Sequence, residues 1–508
     1  MSTHASAELE PASAYFGFRT PCRYRLTRFV FLRALGVLYF FSFLTLVNQW
    51  RPLLGSHGLL PVVEFLAHVR AELGSTGAGF WRLPSLFWFG SSDGFFMACA
   101  WLGLALALVV TLGFANAPIM AVLWLLHLSF VKVGQIFYGY GWESLLAETG
   151  FLAIFLVPGW SPRPFVEPVP WPVVVLLRWL TFRVMFGAGL IKIRGDSCWS
   201  DLTCLFYHFE TQPLPGPLSA AFHRLPHRLL EAGVVFNHFA ELVAPFGVFG
   251  PRRVRLVAGI VIIVFQLTLI ASGNLSYLNW LTVVVALSCF DDGVFQYCFP
   301  KRFRRAAPAE PLPRVRRNLT VALCVLVGVL SINPVVNLLS PRQAMNASFD
   351  PFDLVNTYGA FGSVNRERDE VVLEGTWDTG PDAHWLELEL PCKPGDPERR
   401  PCVVAPYQYK LDWQLWFAAF ERPEQQPWLI HLVYKLLRGD HEIDALFARQ
   451  PFHERAPLRV RALYYRYEFA PHASRAYWQR ELLGVYLRPL SLEDPFLQSY
   501  LRRAGWAR

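Results

Sequence analysis

Nine apolar segments in the first two-thirds of the chain constrain its fold more than any other feature. A helix that crosses a lipid bilayer needs about 20 mostly apolar residues, and most of these segments approach that length. Only 17% of the 508 residues are charged, against roughly a quarter in an ordinary soluble protein. We therefore predict a polytopic α-helical membrane protein whose spans cover residues 27–48, 95–115, 117–133, 143–157, 171–193, 229–249, 254–273, 275–290 and 319–339.

The net positive charge belongs entirely to this apolar part. Residues 1–339 contain 26 basic and 16 acidic side chains, whereas residues 340–508 contain 21 and 23. Cytoplasmic loops of membrane proteins are enriched in Lys and Arg, so the lipid bilayer explains this excess. The basic and aromatic stripe typical of a nucleic-acid module does not occur in the sequence, and we exclude nucleic acid as a partner.

The positions of the basic residues also predict orientation. With a cytoplasmic N-terminus and nine spans, the opposite side of the membrane receives only Arg51, Arg70, Arg82, Arg194, Arg224 and Arg228. The cytoplasmic side then receives 15, namely Arg19, Arg23, Arg25, Arg28, Arg163, Arg252, Arg253, Arg255, Lys301, Arg302, Arg304, Arg305, Arg314, Arg316 and Arg317. This asymmetry predicts nine crossings and an exported C-terminus.

Four cysteines form two local pairs on the predicted exported side, Cys198 with Cys204 and Cys392 with Cys402. Disulfides form in exported compartments and rarely in the cytosol. We predict two short-loop disulfides.

We divide the chain into a cytoplasmic tail (1–26), a multispanning helical domain (27–339) and an exported C-terminal domain (340–508). In the last part charges become dense, and residues 370–377, 385–390 and 460–469 resemble strands. Residues 428–437 and 442–449 resemble helices. The expected fold of this domain is α+β or similar to a β-sandwich.

Residues 406–420 (PYQYKLDWQLWFAAF) are unusually aromatic. Aromatic side chains at helical spacing most often belong to the hydrophobic core or lie at the membrane interface. The alternative is an exposed apolar surface that receives a client protein. The residues proposed for client binding are Trp413, Trp416, Phe417 and Phe420.

Charged side chains inside a bilayer cost roughly 2.5–3.5 kcal/mol each and are usually paired or functional. One interpretation is a network of ion pairs that fixes helix packing, formed by Glu143, Glu148, Arg178, Arg183 and Glu241. The other is an intramembrane enzyme in which Lys192, with its pKa lowered by a low-dielectric site, acts as a base. His238 and Glu241 would assist it.

The connection at 195–217 admits two explanations. Polar residues gather beside the first cysteine pair, namely Asp196, Trp199, Asp201, His208 and Glu210. They could suggest a metal site, but one histidine and carboxylates at unsuitable spacing argue against it. A rigid loop that docks on the C-terminal domain is favoured, and we predict no metal site.

Four strings carry a specific resemblance: residues 134–155 (GQIFYGYGWESLLAETGFLAIF), 182–217, 236–245 (FNHFAELVAP) and 406–420. They resemble the lipase maturation factor family, and the likeness extends over nearly the whole chain. The resemblance implies a polytopic protein, in animals of the endoplasmic reticulum, that helps secreted lipases to fold, with client binding by a lumenal C-terminal domain. Animal members are usually described with fewer than nine spans.

Residues 186–192 (FGAGLIK) have a more distant similarity to the membrane segment of vitamin K-dependent γ-carboxylase. In that family a lysine of a comparable string is the catalytic base, and Lys192 occupies its place here. The flanking residues 193–195 depart from the carboxylase pattern, so this resemblance implies a related membrane fold more than shared chemistry.

Together these observations favour a non-enzymatic, chaperone-like maturation factor without a cofactor. Its expected partners are secreted client proteins, lipases in particular. The expected location is the endoplasmic reticulum membrane of a eukaryote or the cytoplasmic membrane of a bacterium. Two alternatives are the intramembrane enzyme and a scaffold for other membrane proteins.

Overall fold

The structure is a computed structural model that describes residues 24–300, 312–471 and 473–506. Nearly all of the predicted tail and part of the last basic loop therefore lie outside the described residues, including Arg19, Arg23, Lys301, Arg302, Arg304 and Arg305.

The first two-thirds of the chain is helical. Its first helices are Arg25–Leu54 (α1), Val62–Leu73 (α2), Thr76–Arg82 (α3), Asp93–Leu112 (α4), Ala117–Val133 (α5), Gly141–Leu156 (α6) and Trp171–Arg194 (α7). They are followed by Ser197–Ser200 (α8), Leu205–Thr211 (α9), Ser219–His223 (α10), His227–His238 (α11), Ala244–Gly247 (α12), Arg252–Ser272 (α13), Leu278–Ala286 (α14), Asp292–Phe295 (α15), Arg314–Leu330 (α16) and Ile332–Leu339 (α17).

Within the described residues, six helical segments are long and apolar enough to cross a membrane. They are α1, α4, α7, His227–Gly247, α13 and Arg314–Leu339. The chain is therefore a polytopic helical membrane protein. The other three predicted spans coincide with shorter helices, α5 with 17 residues, α6 with 16, and α14 with its 3₁₀ extension Leu287–Cys289. At 1.5 Å per residue, α6 measures about 24 Å against a hydrocarbon core of about 30 Å, so the count of nine stays a prediction.

Helix α1 forms the centre of the bundle. Its side chains Tyr39 and Phe43 are fully buried, and Phe43 packs so closely on α4 that a Cβ at Gly103 would overlap its ring. The outer helices α13 and α16 instead expose apolar residues, with Val257 60% and Val325 61% exposed. An apolar outer surface is what lipid tails require.

The C-terminal region contains one four-stranded antiparallel sheet in the order β2-β1-β3-β4. Its strands are Arg368–Thr376 (β1), Leu386–Glu387 (β2), Arg459–Phe469 (β3) and Trp478–Leu490 (β4). Helices Lys410–Ala418 (α18), Pro427–Arg438 (α19) and Pro495–Ala504 (α20) accompany it. In the described part of this region there is no second sheet, so α+β describes the fold and the sandwich alternative does not. Strand β4 was not predicted.

The connections between helices gather at two ends of the bundle. At one end they contact the C-terminal region: Gln49 Nε2 donates to the Gln408 carbonyl at 2.7 Å, and Asn274 Nδ2 donates to the Cys402 carbonyl at 3.0 Å. At the other end the connections contact one another, as where the Ala115 amide donates to the Pro162 carbonyl at 3.1 Å. The C-terminal region thus packs against a single end of the bundle.

Candidate functional site: an aromatic cavity and its buried ion pairs

A cavity of about 790 Å³ lies where the C-terminal region meets the bundle. Three of the four strings that carry the family resemblance line it: 139–142 at the start of α6, 191–213 after α7, and 413–420 on and after α18. The loop 359–365 completes the wall. Segments far apart in the chain therefore form one apolar site.

The four aromatic residues proposed for client binding all line this cavity, but they differ in exposure. Trp413 is 4% exposed and packs edge-on against Trp142, with ring centroids 4.9 Å apart. Phe417 and Phe420 are 38% and 45% exposed, and Trp416 contacts both rings. The stripe on α18 is thus core at Trp413 and accessible surface at the two phenylalanines.

The connection after α7 packs against the C-terminal region, as the favoured explanation of this loop predicted. Arg368 of β1 donates to the Glu210 carbonyl at 2.8 Å and to the Pro213 carbonyl at 2.9 Å. Trp199 Nε1 donates to the Phe361 carbonyl at 2.9 Å, and Trp416 Nε1 donates to the Thr211 carbonyl at 3.2 Å. These bonds hold one wall of the cavity.

Both predicted cysteine pairs are at bonding distance in the structure. The Cα atoms of Cys198 and Cys204 are 4.8 Å apart, and those of Cys392 and Cys402 are 5.5 Å apart, within the usual range for disulfides. The first pair begins the loop that lines the cavity, and the second immediately precedes the aromatic segment. The disulfide prediction agrees with this geometry.

The Glu143 carboxylate pairs with a residue of the C-terminal region. Lys410 Nζ lies 2.6 Å from Glu143 Oε1, and both side chains are 1% exposed. Tyr277 donates its hydroxyl to the other carboxylate oxygen, and the ring of Tyr138 lies 3.9 Å from Lys410 Nζ. A buried ion pair therefore joins the bundle to the C-terminal region.

A second pair joins α7 to α6. Arg183 pairs with Glu148 and also donates to the Asn356 carbonyl at 2.6 Å. Glu148 Oε2 accepts the Asn356 amide at 3.0 Å and the Tyr358 hydroxyl at 2.8 Å. The segment that enters the C-terminal region is thereby bound to two helices.

Arg178, which is predicted from the sequence to belong to the same network, has other partners. It donates to the Ser288 carbonyl at 3.0 Å and to the Tyr24 hydroxyl at 2.7 Å. Among the described residues, the predicted network is therefore three separate ion pairs, each held by its own hydrogen bonds, and Arg178 lies apart from them.

The third pair contains Lys192. Its ammonium donates to Glu241 Oε1 at 2.6 Å, to Glu241 Oε2 at 2.8 Å and to Asn237 Oδ1 at 2.9 Å. Glu241 lies in a π-helical turn, Phe239–Val243, that follows α11. His238 contacts the Trp199 carbonyl at 3.0 Å instead of Lys192. The cavity is lined by Ile191 but not by Lys192, so the ammonium faces a carboxylate and not an open site.

Several residues of the site were not predicted. Lys410 lies in the aromatic string 406–420, whose aromatic side chains alone suggested a role, and the structure shows that this lysine is buried and paired with Glu143. The loop 359–365 carries no pattern that could have placed it at the cavity. Tyr140 and Trp142, within the string YGYGW, line the cavity beside α18.

Two buried histidines make the protein sensitive to acid. Burial lowers the pKa of His431 and of His208 to about 4, from an ordinary value of 6.5. His431 is 6% exposed, and its Nδ1 lies 2.7 Å from the Leu59 carbonyl, so this contact joins α19 to the connection that follows α1. Between pH 6.5 and 4 the unfolded chain takes up protons at these two histidines that the folded chain does not, so the stability that the two neutral histidines contribute is lost as the pH falls.

We expect His431→Asn to reduce this sensitivity, because the asparagine amide reproduces the Nδ1–H donor and does not titrate. Each histidine can change the free energy of unfolding by at most about 1.4 kcal/mol per pH unit. The thermal midpoint of the detergent-purified protein, measured at pH 7.5 and pH 5.0, should fall less for the variant than for the original chain. An equal fall in both proteins would show that His431 does not contribute.

These features define a polytopic helical membrane protein whose C-terminal sheet region packs on one end of the bundle and closes an aromatic cavity there. The model of the lipase maturation factor transmembrane domain matches residues 26–297, and that of the lipase maturation factor C-terminal domain matches residues 354–488. The chain therefore belongs to the lipase maturation factor family.

Full-length relatives support this assignment. The chain is 46% identical to lipase maturation factor 1 of Mus musculus and 45% identical to that of Homo sapiens, over 95% of this chain and 89% and 90% of those proteins. It is 29% identical to lipase maturation factor 2 of Xenopus laevis, over 95% of this chain and 85% of that protein. No solved structure matches the chain.

Proposed function

We propose that this protein assists the maturation of secreted lipases by holding incompletely folded clients at the aromatic cavity. The observation that carries the proposal is the cavity itself, with buried Trp413 at its base and exposed Phe417 and Phe420 at its rim. Exposed aromatic side chains beside a concave apolar site are typical of surfaces that bind other proteins. The names of the relatives indicate lipases as the clients.

We further propose nine crossings, a cytoplasmic N-terminus and an exported C-terminal domain, with the division at 1–26, 27–339 and 340–508. Two facts support this topology. The connections predicted to be exported gather at the end that carries the C-terminal region and both disulfides. The connections predicted to be cytoplasmic, with Arg25, Arg28 and Arg316, gather at the opposite end, where Arg28 donates to the Glu167 carbonyl at 2.9 Å. In a eukaryotic cell the membrane would be that of the endoplasmic reticulum.

The intramembrane enzyme is the less favoured alternative. A general base needs a free lone pair within reach of its substrate, whereas the Lys192 ammonium donates to three oxygen atoms of Glu241 and Asn237. The family assignment also favours maturation of clients over carboxylase-like chemistry.

We expect Trp416→Ala to reduce capture of a client. An aromatic residue at the centre of an interface commonly contributes about 2 kcal/mol or more, so the affinity for the client should fall about thirtyfold or more. A secreted lipase co-expressed with the full chain would be quantified after affinity purification of the chain, together with the secreted lipase activity. Trp160→Ala is the matched control, because Trp160 is 84% exposed at the opposite end of the bundle.

The double variant Phe417→Ala/Phe420→Ala distinguishes a loss of binding from a folding defect. Both side chains are exposed, so their removal should leave the fold intact. It should lose client binding while it keeps the elution profile and thermal midpoint of the original chain. Client capture that stays unchanged in both cavity variants would overturn the assignment of this cavity as the binding surface.

A further inference from the structure

Three potential metal ligands converge on the surface of the C-terminal region, away from the aromatic cavity. His441 Nδ1 lies 3.1 Å from Asp444 Oδ2, and His453 Nδ1 lies 2.6 Å from the same oxygen. All three ligand atoms lie within 4.8 Å of one another. Two imidazole nitrogens and one carboxylate oxygen form a donor set that suits Zn²⁺ and related transition-metal ions, whereas Ca²⁺ and Mg²⁺ prefer oxygen ligands alone.

We propose that His441, Asp444 and His453 bind a divalent transition-metal ion, with Zn²⁺ as the expected occupant. In a tetrahedral zinc site with bonds of about 2.0–2.2 Å, ligand atoms lie roughly 3.4 Å apart. The two imidazole nitrogens lie 3.1 and 2.6 Å from the Asp444 oxygen, so these two separations would lengthen by less than about 1 Å when an ion binds between the three atoms. The sequence did not predict this site, because its histidines are 12 residues apart on a 3₁₀ helix and a later loop.

The carboxylate of the site is held in place by a neighbouring residue. Gln450 Nε2 donates to Asp444 Oδ1 at 2.7 Å and leaves Oδ2 to face the imidazoles. Such support of a ligand by a second residue is typical of metal sites, because it fixes the orientation of the ligand before the ion binds. The Gln450 side chain also accepts the Phe452 amide at 2.5 Å, so the loop that carries His453 is fastened to the same group.

The exposure of the ligands leaves the ion accessible. His441 and His453 side chains are each 66% exposed, whereas that of Asp444 is 15% exposed. Three protein ligands leave at least one coordination position for water. The ion would connect the 3₁₀ helix His441–Leu446 with the loop that leads into β3. We infer a structural role there, independent of client binding at the cavity.

The test is a Zn²⁺ titration of the purified full chain, measured by calorimetry. The protein must lack a polyhistidine tag, and the exposed thiol of Cys298 is first alkylated because it could bind the ion. We expect one saturable equivalent of Zn²⁺. His441→Ala and His453→Ala should each bind at least about tenfold more weakly, while His384→Ala, which removes an exposed histidine of the same region, should bind as before.

A second readout detects the proposed structural role. Added Zn²⁺ should slow hydrogen exchange of the backbone amides in residues 441–456, and this effect should be absent in the double variant His441→Ala/His453→Ala. Because both side chains are exposed, the double variant should retain its thermal midpoint without the ion. Unchanged Zn²⁺ affinity in the double variant, or no saturable binding by the original chain, would overturn the proposal.

Discussion

Lys410→Met is expected to destabilise the folded protein by about 3–5 kcal/mol, because it leaves the buried Glu143 carboxylate without its cation. Lys410 is the only positively charged partner that Glu143 has among lysines and arginines in the described residues. Methionine retains the length of the side chain, so the lost stability comes from the missing positive charge and not from a cavity. The thermal midpoint in detergent, followed by tryptophan fluorescence, should fall by several degrees.

The double variant Lys410→Met/Glu143→Gln identifies the cause. A neutral glutamine can still contact Tyr277, so the second substitution should restore much of the lost stability. Arg488→Met is the control, because Arg488 pairs with Asp494 at the surface, where its side chain is 56% exposed, and exposed pairs contribute about 1 kcal/mol or less. Additive losses in the double variant would contradict a direct coupling between Glu143 and Lys410.

Arg183→Met is expected to cost a similar amount, about 3–5 kcal/mol, since Glu148 would be left as an unpaired buried anion. The substitution also removes the bond to the Asn356 carbonyl. Arg183→Lys should recover only part of the loss, because an ammonium cannot reproduce the planar fork of donors that serves Glu148 and Asn356 together.

We expect the stability to decrease from the original chain to Arg183→Lys and then to Arg183→Met. The test is to measure the thermal midpoints of these two variants and of the double variant Arg183→Met/Glu148→Gln. The double variant should be more stable than Arg183→Met alone. If Arg183→Lys were as stable as the original chain, the forked geometry would not matter, and the pair would act through charge alone.

The helical part of the fold was largely predictable, because apolar length is a property of local sequence. All nine predicted spans coincide with helices, and the six longest satisfy the criteria for a membrane span. Charged residues were harder to place. The residue that neutralises Glu143 is 267 positions away, and no local pattern indicates such a distance.

In the C-terminal region, the spacing of apolar residues predicts only part of the secondary structure. Strand β3 and helix α19 agree with prediction, but residues 442–449 form the shorter 3₁₀ helix His441–Leu446. Strand β4 was missed because exposed and partly buried residues do not alternate along it, and Leu482 and Val485 are 54% and 61% exposed at the edge of the sheet. Its pairing with β3 includes register shifts, which remove the two-residue repeat.

The ion pair between Glu143 and Lys410 has a consequence for folding during translation. Ribosomes add about 5–20 residues per second, so the 267 positions between these residues correspond to an interval of about 13–53 seconds. During that time the nascent bundle holds an anion whose counterion has not yet been synthesised. The buried pair can therefore form only after the ribosome has reached the last fifth of the chain.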